Sequence, residues 1–195
     1  MRCRPVLLGV ALGLAAILLA WLARAPRAVA VAPRPGPGEL RPSGGGDAER
    51  LRARALVLPV AGFEAGKLRD SFAEPRSGHR HEAIDIPAAR GTRVIAADDG
   101  TIVRLLTSAN GGLTVYELDP TTSYCYYYAH LDGYAPGLRE GQTVRRGETV
   151  GYVGSTGNAQ RHAPHLHFAV FRLGPGKRWG EGTPLDPFPL WARPD

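Results

Sequence analysis

From residue 92 onward the chain alternates apolar and polar positions in short runs, each cut off by glycine or proline. The runs read TRVIAAD, GTIVRLLTS, LTVYELD, YCYYYAHL, ETVGYVG and LHFAVFRL. Period-two patterning over four to eight residues, bounded by turn residues, predicts strands, and this many strands predict an all-β sandwich or barrel. The earlier segment RHEAIDIPAARG is also strand-like. Helical periodicity is nearly absent; ERLRARALVL (49–58) is the one short helix the pattern allows.

Alternation also orients side chains. In HLHFAVF the apolar stripe Leu166, Phe168 and Val170 belongs to the core, so His165, His167, Ala169 and Phe171 project from the other face. In YCYYYAH it places Tyr124, Tyr126, Tyr128 and His130 on one face and Cys125, Tyr127 and Ala129 on the other. Tyr126, Tyr128 and the loop YELDPTTSY are candidates to line a groove, with core packing expected for at least half of the tyrosines. An internal echo aligns ARGTRVIAADDG with RRGETVGYVGSTG, Arg90 with Arg146, Gly91 with Gly147 and Val94 with Val150. Such repetition is what a barrel built from two similar halves would show.

The amino terminus follows a different rule. Arg2 and Arg4 precede an unbroken apolar run over residues 6–23. About 18 apolar residues suffice for a bilayer-spanning helix, which favours an uncleaved signal-anchor, while AVAVA after Arg27 offers small residues for signal cleavage. Either way the remainder is expected outside the cytoplasm, membrane-anchored, periplasmic or secreted. Residues 1–28 are thus assigned to targeting, 29–52 to a Pro/Gly-rich linker, and 53–195 to the folded domain, with its core at about 70–173.

Composition narrows the class. The chain has 195 residues and a formal charge of +6, with 25 glycines and 17 prolines, which suits one turn-rich β domain. The arginine surplus suits an anionic wall or membrane surface, and no nucleic-acid partner is expected. Cys3 and Cys125 fall on opposite sides of the apolar run, so no disulfide framework and no thiolate zinc site is expected. A lysine-modified carrier domain is disfavoured, since Lys67 and Lys177 are the only lysines and neither sits in a matching turn.

Histidine carries the chemistry. Of six histidines, His81, His130, His165 and His167 fall in or beside strand segments, and Asp85 lies four residues after His81. A catalytic zinc takes about three protein ligands and leaves one position open, and imidazole nitrogen and carboxylate oxygen are suitable donors. The lack of cysteine favours such an open site over a sulfur-rich structural one. Spacing alone does not select the ligands, because His79 and His162 compete with their neighbours. The ordered set, HxxxD, then an isolated histidine after an aromatic strand, then HxH, is the informative signal.

That set, with YYAHLDG around His130, VGSTGN from Val153 and PHLHF from Pro164, resembles the lysostaphin- and LytM-type zinc endopeptidases of bacterial cell walls. The similarity spans about residues 72–171. It implies a duplicated hybrid-motif, barrel-sandwich-like antiparallel β fold, and one Zn²⁺ held by His81, Asp85 and His167. It implies His130 and His165 as catalytic histidines that do not bind metal, and leaves His79 and His162 without a role. The substrates it implies are stem peptides or cross-bridges of peptidoglycan, with the glycine bridge and the D-amino-acid cross-link both open. A non-enzymatic regulator acting on a partner hydrolase is the alternative.

Zinc acidifies water from a pKa of about 16 towards 7, and a proton acceptor must accompany it. No HExxH motif supplies a glutamate base, and Glu82 is expected to point away from His81 in an extended segment. His165 is therefore the candidate base, with His130 polarising the carbonyl or the water; sequence does not separate the two roles. The segments 70–80 and 158–163 are expected to flank the cleft. Three positions depart from the family pattern: Ala83 replaces a glycine, Phe72-Ala73 replaces Phe-Gly, and Ala169 replaces a glutamate beside the HxH pair. Loss of that carboxylate would weaken metal binding by about 10–100-fold.

Overall fold

The computed structural model describes residues 46–76 and 78–192. The apolar run 6–23, the candidate cleavage site and the linker up to residue 45 lie outside the described residues. Among the described residues no helix is long and apolar enough to cross a membrane.

The first element is helix α1 (Gly46–Arg54). It begins upstream of the stretch that patterning marked, inside the span assigned to the linker, and ends sooner. Asp47 and Glu49 lie at its amino end and Arg52 and Arg54 at its carboxyl end, a distribution that complements the helix dipole. Leu51 is buried, but polar contacts do much of the docking. Asp47 accepts hydrogen bonds from Tyr124 Oη (3.2 Å) and the Arg172 guanidinium (2.8 Å). Arg54 reaches Asp98 and, at 3.3 Å, Asp119. The apolar pattern could not reveal a helix held this way.

Strands follow in the order β1 (Pro75–Arg76), β2 (His79–Arg80), β3 (Ile84–Pro87), β4 (Arg93–Ile95), β5 (Gly100–Ser108), β6 (Gly112–Leu118), β7 (Tyr124–Tyr134), β8 (Thr143–Val144), β9 (Thr149–Val153), β10 (His165–Leu173) and β11 (Gly182–Leu185). The first two form a separate hairpin. The rest form one antiparallel sheet in the order β11-β10-β7-β6-β5-β8, with β3 on β10 and β9 joining β4 to β7. All six patterned runs are strands. The strands that patterning missed, β1, β2, β8 and β11, are two to four residues long, too short for a period to register.

The echoed segments pair with each other, Val94 opposite Gly151 and Ile95 opposite Thr149. Each starts with the same turn: Thr92 N–H donates to Ala89 O, and Glu148 N–H donates to Arg145 O. The glycine inside each turn has φ of +83° (Gly91) or +82° (Gly147), a conformation open to glycine at no steric cost.

The core lies on the face of β10 that the stripe marked. Leu166, Phe168 and Val170 are fully buried with Ile84 and Ile86 of β3. Tyr126 and Tyr128 are also fully buried, which removes them from the groove. Their hydroxyls enter a buried polar cluster. Tyr126 Oη donates to Asp98 (3.0 Å); Tyr128 Oη donates to Glu117 Oε2 (2.6 Å) and accepts from Ala97 N–H (2.8 Å). Glu117 Oε1 has no hydrogen-bond partner among the described residues.

Burial pushes the Glu117 carboxyl up to about 8, with Asp98 and Asp99 adding to it against the Tyr128 bond. An unfolded glutamate ionises near 4.3, so between the two values the folded chain holds a proton that the unfolded chain releases. The contribution of Glu117 to stability therefore falls as pH rises from about 4.5 to 8. In Glu117→Gln that slope should largely vanish, leaving the variant more stable than the parent at pH 8 by a few kcal/mol, roughly. Denaturant unfolding at pH 5 and pH 8 checks this; parallel pH dependence of the two proteins would contradict it.

Candidate metal centre

Four strand segments bring the chemistry together, and β10 is central. His167 lies opposite Asp85 on one side and Ala129 on the other, because β10 pairs with both β3 and β7. Antiparallel neighbours share a face. His165 and His167 thus project together, as alternation foretold.

His81 requires a break in the chain. Residues four apart in an extended strand are about 13 Å apart, yet His81 Nε2 lies 3.1 Å from Asp85 Oδ1. Glu82 adopts φ of +57°, folding the backbone between them. The segment is therefore not extended there, and Glu82 does not line the cleft.

His130 requires a second break. Strict alternation would send it into the core with Tyr126 and Tyr128. Instead His130 has φ of +61°, its N–H donates to Gly111 O (2.8 Å), and its ring lines the cleft beside Ala129 and Tyr127. Here β7 changes partner: residues before His130 pair with β10, and Leu131 to Tyr134 pair with β9. A left-handed non-glycine residue costs about 1 kcal/mol or more, and such residues concentrate at functional sites.

Three donor atoms form a small triangle. His81 Nε2 lies 3.0 Å from His167 Nδ1, and Asp85 Oδ1 lies 3.1 Å and 3.2 Å from these two nitrogens. The edge of a tetrahedron around zinc, with bonds near 2.0–2.1 Å, is about 3.3 Å. His81 Nδ1 donates to Ser71 O (2.9 Å), and a carbonyl only accepts, so the Nε2 lone pair faces the triangle. The donor set, spacing and tautomer fit zinc.

Ser71 ties this corner together, because its hydroxyl also accepts from Asp85 N–H (3.0 Å). Asp85 divides its oxygens: Oδ1 faces the histidines, and Oδ2 accepts from the Arg76 guanidinium at 2.9 Å. Burial pushes the Asp85 carboxyl up, but its contacts with His167 and His81 outweigh burial and hold it well below the usual carboxylate range.

The other two histidines stand beside the triangle with the same tautomer. His130 Nδ1 donates to Thr156 O (2.8 Å) and His165 Nδ1 to Ala163 O (2.8 Å), so each ring is held through Nδ1 where it lines the cleft. Their ring centroids are 5.0 Å apart, and His165 Nε2 lies 3.7 Å from Asp85 Oδ1. Burial lowers the His130 imidazole to about 4, helped by His167 and His165 and opposed by the Thr156 hydrogen bond, so it is neutral at pH 7. Thr156 is a pivot: its hydroxyl accepts from Leu113 N–H and donates to Leu131 O. Gly112 (φ +64°) passes so close that a Cβ there would lie 2.1 Å from Thr156 Oγ1.

The cleft holds about 590 Å³. Segments 70–80 and 158–163 flank it through Arg76 and His79 on one side and Asn158, Gln160 and Ala163 on the other. A third wall, Asn110-Gly111 between β5 and β6, had no signal in the sequence. His79 stands at the rim, and His162 lies outside the lining. The cleft tyrosine is Tyr127, not Tyr126, Tyr128 or the loop after β6. It lies opposite Ala169, with its ring 6.0 Å from His167 and 6.5 Å from Phe171. An aromatic ring thus covers the position where the family pattern has a carboxylate.

Comparison with known proteins gives the family. Residues 79–187 match peptidase family M23. An L-Ala--D-Glu endopeptidase of Bacillus subtilis (strain 168) is 32% identical over 152 residues, covering 73% of this chain and 45% of that protein. The murein hydrolase activator NlpD of Escherichia coli (strain K12) is 30% identical over 105 residues, covering 54% of this chain and 26% of NlpD. The chain thus spans less than half the length of either relative. The catalytic domain of lysostaphin from Staphylococcus simulans has a TM-score of 0.52 at 26% identity, covering 74% of this chain and 96% of that domain. With the match extending over more than half of its sequence, and a mainly antiparallel β fold to accompany it, the chain belongs to peptidase family M23.

Proposed function

We propose that the chain is a zinc endopeptidase acting in the cell envelope on the peptides of peptidoglycan. The supporting observation is the triangle of His81, Asp85 and His167, in a cleft lined by two further histidines that are each held through Nδ1 by a backbone carbonyl. Bound there, Zn²⁺ would supply a Lewis acid and water acidic enough to attack a peptide carbonyl at neutral pH.

The remaining work falls to the chain. His165, with Nε2 3.7 Å from Asp85 Oδ1 and Nδ1 held by Ala163 O, takes up the proton of the attacking water and returns it to the leaving amine. His130, fixed by Thr156 O and neutral, accepts at Nε2 and so orients the attacking water. Ser71 and Arg76 keep His81 and Asp85 in register. The apolar run 6–23 and the basic net charge support export to an anionic wall.

Similarity to NlpD favours a second reading, a domain that activates a partner hydrolase. Mass spectrometry of fragments released from purified peptidoglycan of two chemotypes separates the readings. The enzyme releases fragments with new amino termini from at least one chemotype, loses this with chelator and regains it with zinc. An activator binds zinc yet releases nothing unless a partner hydrolase is added.

A further inference from the structure

Arg104, Tyr116, Tyr127 and Ala169 lie side by side across β5, β6, β7 and β10, on the sheet face that carries His167. Tyr127 and Tyr116 have ring centroids 4.7 Å apart. Trp179, from the connection between β10 and β11, returns to stand 4.7 Å from Tyr116, with the Arg104 guanidinium 6.0 Å from its ring. The series is continuous with the cleft, because Tyr127 lines both. It crosses three strand spacings, roughly 14 Å.

These rings are not core. Tyr116, Tyr127 and Trp179 stay partly exposed, and none packs against the hydrophobic core. Trp179 sits among exposed neighbours from Gly174 to Glu181. The row ends in a polar pair, Arg104 with Glu140 at 3.4 Å, both nearly half exposed.

The chemistry of a ligand for this ledge follows. Strands β6 and β7 lie inside the sheet with both edges paired, so no peptide can add as a strand and use their backbone groups. Only side-chain faces are on offer. A pyranose ring matches them, with a C–H face to lie on aromatic rings and a rim of hydroxyls for a planar guanidinium and a carboxylate.

We propose that the Tyr127–Tyr116–Trp179 row, closed by Arg104 and Glu140, binds the glycan strand from which a stem peptide hangs. The cleft then works on peptides still attached to sugar. This rests on the peptidoglycan reading above, and its test does not need hydrolysis. Metal-stripped full-length chain is titrated calorimetrically with soluble glycan strands freed of stem peptides, and separately with free stem peptides. The strands should bind saturably. Trp179→Ala and Tyr116→Leu should weaken them by about tenfold, the scale of one lost stacking contact, and leave stem-peptide binding unchanged.

In zinc-loaded protein the same variants should raise KM on intact peptidoglycan and leave turnover of a short free stem peptide alone. Glycan binding through Trp179 without any hydrolysis would keep the ledge and remove the peptidase. Strands that fail to bind, or variants that bind them as the parent does, overturn the ledge. Hydrolysis by those variants at parental KM would then leave the peptidase standing alone. Tyr116→Leu retains an apolar side chain on the sheet, and unchanged thermal unfolding of both variants confirms that the fold persists.

Discussion

Replacing His167 with alanine should abolish zinc retention and bring hydrolysis to background, with the fold intact. His167 stands between Asp85 and Ala129 on the central strand of the site, and its Nδ1 is one corner of the donor triangle. If a zinc site is worth about 10 kcal/mol or more and three ligands share it evenly, losing one weakens affinity by roughly 10²–10³-fold. The fold survives because the face of β10 that packs the core, Leu166 and Phe168, is untouched. Metal content after dialysis, with a thermal unfolding curve, checks both halves. A variant that retains stoichiometric zinc would remove His167 from the ligand set.

The second large effect separates catalysis from binding. His130 lies outside the triangle, its ring centroid 5.5 Å from that of His167, so removing it should leave zinc bound. Turnover should fall by at least about 10²-fold, the scale of a lost general acid–base group. Alanine would add backbone strain at a residue with φ of +61°. His130→Asn is the better variant, because asparagine tolerates the left-handed region. Full activity in His130→Asn would show the assigned role to be wrong; parental zinc content with lost turnover is the expected result.

Much of the scaffold was legible in the sequence because period two is a direct consequence of strand geometry. One buried face and one open face made β10 readable, and with it the shared direction of His165 and His167. His130 was misplaced because alternation assumes an unbroken strand, and nothing in YYYAHLD announces a left-handed residue where β7 changes partner. The same error exchanged Tyr127 for Tyr126 and Tyr128. HxxxD marked two donors, but not the turn at Glu82 that makes them neighbours. Ser71, Thr156 and Ala163 were invisible for another reason. Each holds a histidine through a backbone carbonyl, a group every residue carries. Glu117 shares the buried face of Val115, a polar residue at a core position whose hydrogen-bond partner, Tyr128, comes from the next strand.

The central claim is that one divalent ion sits among His81, Asp85 and His167. Anomalous diffraction at the zinc edge, from crystals grown with ZnCl₂, measures it directly. One strong peak is expected within about 2.0–2.2 Å of His81 Nε2, Asp85 Oδ1 and His167 Nδ1, with one further coordination position open. No peak among these three atoms, or a peak bound by His79 or His162 instead, would contradict the account.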